Sequence, residues 1–336
     1  MVRKISFCIV CMNRSSHLEN TLLKNIQDNI NYKNLEFILL DYNSDDKLDD
    51  WINDNFKSYI DNGILKYYRT DLPQSFHRSH SRNVVLKLAD GDIICNLDAD
   101  NYLGKDFAHF INYHFSYDLN IFLTSGYQNG SYGRICVRKI DFLKVRGYDE
   151  KMSGWGYEDD DLYVRLKNLG LKQIKFYNKT FTQFLEHEIE DNFKNDKNVT
   201  TVEAIYVSYI TYTKTKILFI KKDHTFKYGI IYKLKDDDDI ELEGKWHEGN
   251  FKYIKDNIIL NFHNQRQISM KSENSNTLLS DNNECFKLLS NTLLINSMLR
   301  ILTSLENKNY YLNKTKKTIR SNPKNWGETI LSKTFY

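Results

Sequence analysis

Short apolar runs alternating with helical periodicity constrain this chain more than any other feature. The runs at 5–11 (ISFCIVC), 35–40 (LEFILL), 64–68 (ILKYY) and 92–97 (DIICNL) are β-rich and bounded by polar turns. Between them, the stretches near 15–30, 46–60 and 78–89 carry helical spacing. Such alternation predicts βαβ units and a mostly parallel sheet. In a sheet of that kind a ligand sits beyond the carboxyl ends of the strands. Asn13-Arg14, Asp41-Tyr42-Asn43 and Asp98-Ala99-Asp100 therefore share one rim. From about 120 the pattern becomes mixed, with strands expected near 121–126 and 134–138 and a helix from about 139.

A glycine-rich loop then leads into EDDDLYVRLKNLG. Leu162, Leu166 and Leu169 recur at helical spacing and Gly170 suits the position just past a helix end, so Glu158 to Asp161 head a helix. Beyond 215, short apolar runs separated by polar turns predict a small antiparallel meander. Residues 271–284 read as a polar loop, 285–305 as helical, and the tail is basic through Lys314, Lys316, Lys317, Arg320 and Lys324. The expected partition is thus 1–214, an α/β domain; 215–270, an antiparallel β region; and 271–336, a helical, basic tail.

Composition excludes several classes. With 41% hydrophobic and 27% charged residues, wholesale disorder is ruled out. Forty-seven basic against 44 acidic side chains leave +3, which gives no electrostatic footprint for nucleic acid. No run of 18 apolar residues exists, so no membrane span is expected. Cys8, Cys11, Cys95, Cys136 and Cys285 lack framework spacing. Residues i and i+3 of a strand face opposite ways, so the CxxC at Cys8 and Cys11 does not read as a metal pair. All five are read as small core hydrophobes in a reducing compartment, which points to the cytoplasm.

Two acidic motifs carry the chemistry. NLDADN, at the end of a buried strand, offers the oxygen ligands that Mg²⁺ or Mn²⁺ shares with substrate phosphates; alone, it is equally a solvated turn. In GWGYEDDD, one or two acids would complement the helix dipole, but four in succession exceed what capping needs. Trp155 between two glycines adds an aromatic platform, and a carboxylate beside an aromatic face suits a sugar.

With these residues assembled, SFCIVCMNR, LEFILLDYNSDD, HSRNVVLKLADGDIICNLDAD and RGYDEKMSGWGYEDDDLYVRL resemble nucleotide-sugar-dependent glycosyltransferases of the GT-A fold. The first three segments resemble glycosyltransferase family 2; the last resembles the carboxyl-terminal motif of β-1,4-galactosyltransferases and chondroitin-type polymerases. The likeness spans roughly 4–190. It implies an α/β, GT-A, Rossmann-like mixed sheet flanked by helices, here followed by a small β-meander and helical tail. It places Asn13 and Arg14 near a uridine diphosphate, Asp41 on uracil or ribose, and Arg82-Asn83 at the diphosphate or base. Asp98 and Asp100 match the DxD and hold the metal, Asp100 as the more direct ligand, with His187 completing the metal site. Glu158, Asp159 and Asp160 match the catalytic acids, Asp159 as base, while Trp155, Gly156 and Asp159 bind the acceptor.

The activity so implied is that of an inverting, Mn²⁺- or Mg²⁺-dependent transferase moving sugar from a UDP-sugar to a hydroxyl of a saccharide or lipid-linked glycan, in polysaccharide assembly. Two rivals stand beside it, a non-catalytic glycan-binding protein retaining the fold and a sugar nucleotidyltransferase. The basic tail reads either as a solvated end, dispensable beyond 306, or as a peripheral, salt-sensitive contact with an anionic membrane.

Overall fold

The computed structural model describes residues 2–188, 191, 194–233, 240–315 and 317–335. The chain forms two compact units, residues 1–191 with 310–336, and residues 192–309.

The first unit is built from β1 (Ile5–Cys11), α1 (Ser15–Asn29), β2 (Leu35–Tyr42), α2 (Leu48–Asp61), β3 (Leu65–Thr70), α3 (Arg78–Leu88), β4 (Ile93–Asp98), α4 (Phe107–Tyr117), β5 (Ile121–Ser125), β6 (Ile135–Arg138), α5 (Lys139–Lys144), α6 (Glu158–Asn168) and β7 (Lys172–Phe176). The strand order is β3-β2-β1-β4-β6-β5-β7. β1 to β4 are parallel, and β6 runs antiparallel to both β4 and β5. This is the mixed, helix-flanked α/β sheet the alternation predicted. β1 shows why its sequence is continuously apolar: Phe7, Ile9 and Cys11 enter the core on one face, Cys8 that on the other. Cys8, Cys11, Cys95 and Cys136 are buried as expected, but Cys285 is exposed, on a strand face that meets solvent.

The second unit begins with the short α7 (Lys197–Thr200) and continues through β8 (Val202–Thr211), β9 (Lys214–Lys221), β10 (Thr225–Lys233), β11 (Ile240–Leu242), β12 (His247–Ile254), β13 (Asn257–Phe262), β14 (Gln267–Asn274), β15 (Thr277–Ser280), β16 (Cys285–Leu288) and α8 (Thr292–Asn313). The expected meander is larger than its sequence suggested. Each of β8, β9, β10, β12, β13, β14, β15 and β16 pairs with two others of the set, and β16 returns to β8, so the sheet closes into a barrel. Leu218, Ile220, Phe226, Phe251, Leu260, Phe262 and Phe286 pack one face of these strands. Ile217 and Phe219, alternating with them on β9, pack with Leu299 and Leu302 of α8. Residues 271–284, read as a loop, instead carry part of β14 and all of β15, and the helix begins at Thr292. Their apolar content is Leu278 and Leu279, of which only Leu278 is buried, too sparse to register as a run.

The partition also shifts. β8 belongs to the barrel rather than to the α/β domain, and residues 310–336 rejoin the first unit. There Trp326 enters the core beside Phe142 and Tyr148, Lys87 Nζ donates to the Trp326 carbonyl (2.6 Å), and β17 (Lys333–Phe335) pairs antiparallel with β3. The tail is therefore part of the fold, neither a free basic arm nor a dispensable end, because its aromatic and β-forming residues are what it buries. Of its basic residues, Lys317, Arg320 and Lys324 face solvent, Lys314 is engaged internally, and Lys316 lies outside the described residues. No helix among the described residues is long and apolar enough to cross a membrane.

Candidate active site

The carboxyl ends of β1, β2 and β4 do share one rim. Asn13 and Asn43 turn the chain there with left-handed backbone (φ 55° and 62°), a conformation asparagine tolerates better than most residues. The Asn13 side-chain oxygen accepts from Asp45 N (2.8 Å) and Asp46 accepts from Ser15 N (2.8 Å), knitting the two loops together.

The centre of the rim is one guanidinium. Arg82, buried on α3, donates to Asp98 Oδ1 (3.0 Å) and Asp159 Oδ1 (3.2 Å), and reaches Glu158 Oε1 at 3.4 Å. Its Cζ lies 5.4 Å from the centre of the Tyr148 ring. Burial works against its charge, but the three carboxylates outweigh burial and hold it well above its ordinary pKa. The acid motif of β4 and the acid motif of α6, some sixty residues apart in sequence, thus share one cation. Arg78, one helical turn before Arg82, stands 3.5 Å from Glu158 Oε1. Glu158 Oε2 is buried without a hydrogen-bond partner among the described residues.

The carboxylates differ. Asp98 is held below the usual range: burial opposes ionisation, but Arg82 and Arg78 prevail. Asp159 moves the other way, up to about 7, through burial and the neighbouring Glu158 and Asp98 charges, against Arg82. A carboxylate ionising near neutrality is suited to general-base work. Asp160 accepts from Tyr132 Oη (2.5 Å). Trp155, half-buried, and Gly156 lie just before α6, where Gly156 (φ 90°) and Tyr157 (φ 67°) make a left-handed turn into the helix.

Asp100 belongs to a second group. Its Oδ1 accepts from Asn101 Nδ2 (2.7 Å), and its Oδ2 lies 2.8 Å from His187 Nε2. His187 Nδ1 lies 3.0 Å from the Glu188 carbonyl, so that nitrogen carries a proton. Nε2 and the Asp100 carboxylate stand at hydrogen-bond distance. The Asp100 hydrogen bond accordingly raises the imidazole's pKa. A carboxylate and an imidazole, the latter oriented by a carbonyl behind it, is a donor set that suits Mn²⁺. Among the described residues no three His, Cys, Asp or Glu side chains gather as a metal site, so a cation here needs further oxygens from a ligand. His17 stacks on His187 with ring centres 5.0 Å apart. Arg14 feels the Asp100 charge, although burial lowers its pKa.

Two residues expected at the ligand have side chains engaged within the fold. Asp41 is fully buried, and its oxygens accept from Ser44 N (2.7 Å), Tyr67 Oη (2.7 Å) and Arg69 Nη1 (2.6 Å). It organises the loop after β2. Asn83, one position from Arg82 and so about 100° around the helix, bonds Tyr148 O (2.9 Å), Tyr148 N (2.7 Å) and Glu150 Oε1 (2.9 Å). Conversely, Arg78 and Gly133 were not singled out. Arg78 was legible as the i−4 neighbour of Arg82. Gly133 carried no signal: a Cβ there would lie 2.9 Å from Arg82 Nη2 and 3.1 Å from Asp159 Oδ2.

Residues 123–190 match the family model for the N-terminal domain of galactosyltransferase. The chain is glycosyltransferase-like over this segment, which holds Trp155, Gly156, the acids heading α6 and His187. Similar solved structures include the following three. A Pyrobaculum calidifontis mannosyltransferase, PcManGT, in complex with GDP-Man and Mn²⁺ is 14% identical, with TM-score 0.48 over 56% of this chain and 59% of that one. S. aureus TarS 1-349 in complex with UDP is 15% identical, with TM-score 0.40 over 49% and 55%. The catalytic domain of Drosophila beta1,4galactosyltransferase 7, in complex with xylobiose, is 19% identical, with TM-score 0.41 over 58% and 75%. The chain thus spans less than two thirds of the first two.

Proposed function

We propose that the first unit is an inverting, metal-dependent glycosyltransferase that moves a sugar from a UDP-sugar to a hydroxyl of a saccharide acceptor. The observation that carries this reading is the Arg82 bridge, which sets a raised-pKa carboxylate, Asp159, against the acid that ends β4. Asp159 as carboxylate takes the acceptor hydroxyl's proton while that oxygen attacks the anomeric carbon. The bond from that carbon to the diphosphate oxygen breaks, and the departing charge develops on UDP. Arg14 and Arg78 supply positive charge to meet it. A divalent cation held by Asp100 and His187 would add its charge to that stabilisation. Glu158 Oε2, with its unused acceptor capacity, takes a hydrogen bond from the acceptor sugar.

The reading is tested by a donor screen that detects released UDP across common UDP-sugars, with and without EDTA. Release that stops in EDTA, returns with Mn²⁺ and is lost in Asp100→Ala is the expected result. Turnover undiminished by EDTA would end the metal assignment. Binding of glycans with no release from any donor would favour a binding protein that keeps the fold.

A further inference from the structure

The carboxylate at the far end of the acid run has a different partner from the others. Asp161, 3% exposed, places Oδ1 2.6 Å from Lys314 Nζ and Oδ2 2.7 Å from Arg165 Nε. The same ammonium lies 2.7 Å from Oδ2 of Asp149, which is fully buried and also accepts from Tyr310 Oη (3.0 Å). Lys314 therefore joins two segments that both lead into the reaction centre. Asp149 follows Tyr148, the ring under the Arg82 guanidinium. Asp161 lies in the first turn of α6, two residues past Asp159, and its amide closes that turn on Tyr157 O (3.0 Å).

We infer that Lys314 is a positioning residue of the reaction centre, holding the first turn of α6, and with it Glu158 and Asp159, against the Tyr148-Asp149 segment. The inference rests on the proposed transferase reading only in taking Asp159 to be the base. The helix start needs such a tie for two reasons. Tyr157, just after Gly156, enters it through left-handed backbone (φ 67°), which a residue with a side chain adopts at a cost and keeps only where surroundings fix it. In addition, without the ammonium Asp149 and Asp161 become buried like charges, Asp161 left with Arg165 and Asp149 with the Tyr310 hydroxyl and the Lys151 amide, and they push the two segments apart. The run EDDD thereby divides its work. Glu158 and Asp159 face Arg82, Asp160 holds Tyr132, and Asp161 anchors the helix to the returning chain.

The test uses the full chain carrying Lys314→Met or Lys314→Arg. Hydrogen exchange without substrate should show the amides of 157–162 exchanging about tenfold faster or more in Lys314→Met, with the β1–β4 amides unchanged. Transfer kcat should fall about tenfold while nucleotide Kd stays within about twofold, and Lys314→Arg should recover most of both. If Lys314→Met does not fold, the Lys314→Met, Asp149→Asn double variant removes charge and countercharge together and should fold with the same faster exchange. Unchanged exchange at 157–162 in the folded variant overturns the tie. Faster exchange with unchanged kcat overturns its role in the reaction. Absence of transfer in the wild type from every sugar nucleotide would instead count against the transferase reading, while the exchange data still decide whether Lys314 holds the helix.

Discussion

The first unit buries Glu36, Asp41, Arg82, Asp100, Arg134, Asp141, Asp149, Glu158, Asp159, Asp161 and Arg165, whereas the described charged residues buried in the second are Asp196, Lys221 and Lys227. Both units have ample apolar cores. The barrel closes its sheet and spends its interior on leucine, isoleucine and phenylalanine, while the open sheet gathers charge at the carboxyl ends of its strands. Buried charge is costly and apolar side chains of similar volume often stabilise as well or better. On the proposed transferase reading, the charge gathered at the rim serves the reaction. Asp141, tied to Arg138 and Lys144 (2.6 and 3.2 Å), and Glu36 are exceptions within the same unit. Paired with Lys4 and Lys66 (both 2.9 Å) near the opposite end of β2, Glu36 is structural, and its hydrogen bonds overcome burial to bring it down to about 2.

The widest difference between the units should come from removing one buried cation in each. Arg82→Met leaves Asp98, Glu158 and Asp159 without their shared charge and should cost the first unit about 3–5 kcal/mol. Lys227→Met, in the barrel, leaves Glu248 and Glu306, both partly open to water, and should cost about 1 kcal/mol or less. Urea unfolding, with hydrogen exchange resolving each unit, checks both. Equal losses would erase the contrast.

Asp159→Asn separates chemistry from stability. Transfer should fall about 10²-fold or more with nucleotide binding retained; loss of nucleotide binding would make the acid structural. The pH signs follow from the shift. A carboxyl raised to about 7 binds its proton more tightly folded than unfolded, so its ionisation subtracts stability progressively between about pH 4 and about 7. Activity should rise through pH 7 as the base ionises, and Asp159→Asn should be more stable than wild type at pH 8, an advantage that vanishes toward pH 4. Glu36→Gln should behave oppositely. Glu36 adds stability above the ordinary carboxylate range that is lost as pH falls toward about 2, so the variant should be weaker at pH 7. Melting curves across pH distinguish the two.

How much of this was legible follows the same division. The parallel core of the open sheet could be read because strands buried on both faces give unbroken apolar runs, as in β1 and β2. The barrel strands from β12 onward alternate burial, Phe251 buried between exposed Asn250 and Lys252, and their pattern was too thin to reveal β14 and β15 or the closure. At the site, positions were visible but facing was not. Asp100 and His187 are brought together as expected, whereas the contact of Arg82 with Asp159 follows from no motif; Asp41 and Asn83 lie at the expected places in sequence with their side chains bonded within the fold. One residue along a helix or strand separates ligand from scaffold, and no composition or spacing encodes which. Lys314 illustrates the converse: within a basic tail it reads as solvated, and only the return of the chain gives it two buried carboxylates.

The smallest predicted effects come from adding one methyl group to each unit. At Gly133 a Cβ would meet Arg82 Nη2 at 2.9 Å and Asp159 Oδ2 at 3.1 Å, the mobile ends of two side chains. The guanidinium can yield by a few tenths of an ångström, so Gly133→Ala should leave the melting temperature nearly unchanged. That small displacement nevertheless moves the base relative to its counterion, and transfer should fall about tenfold, roughly 1.4 kcal/mol of transition-state stabilisation. At Gly229 in the barrel, a Cβ would lie 2.6 Å from the Trp246 ring and 2.9 Å from Leu242 Cδ1. Both belong to the packed cluster between the barrel and α8, where nothing flexible can yield. Gly229→Ala should therefore cost about 1–3 kcal/mol of stability in the second unit through overpacking. Thermal melting and transfer rates measured on both variants decide the matter. If Gly133→Ala loses stability and keeps its rate, the rim is scaffold like the barrel, and burial of charge there has no bearing on catalysis.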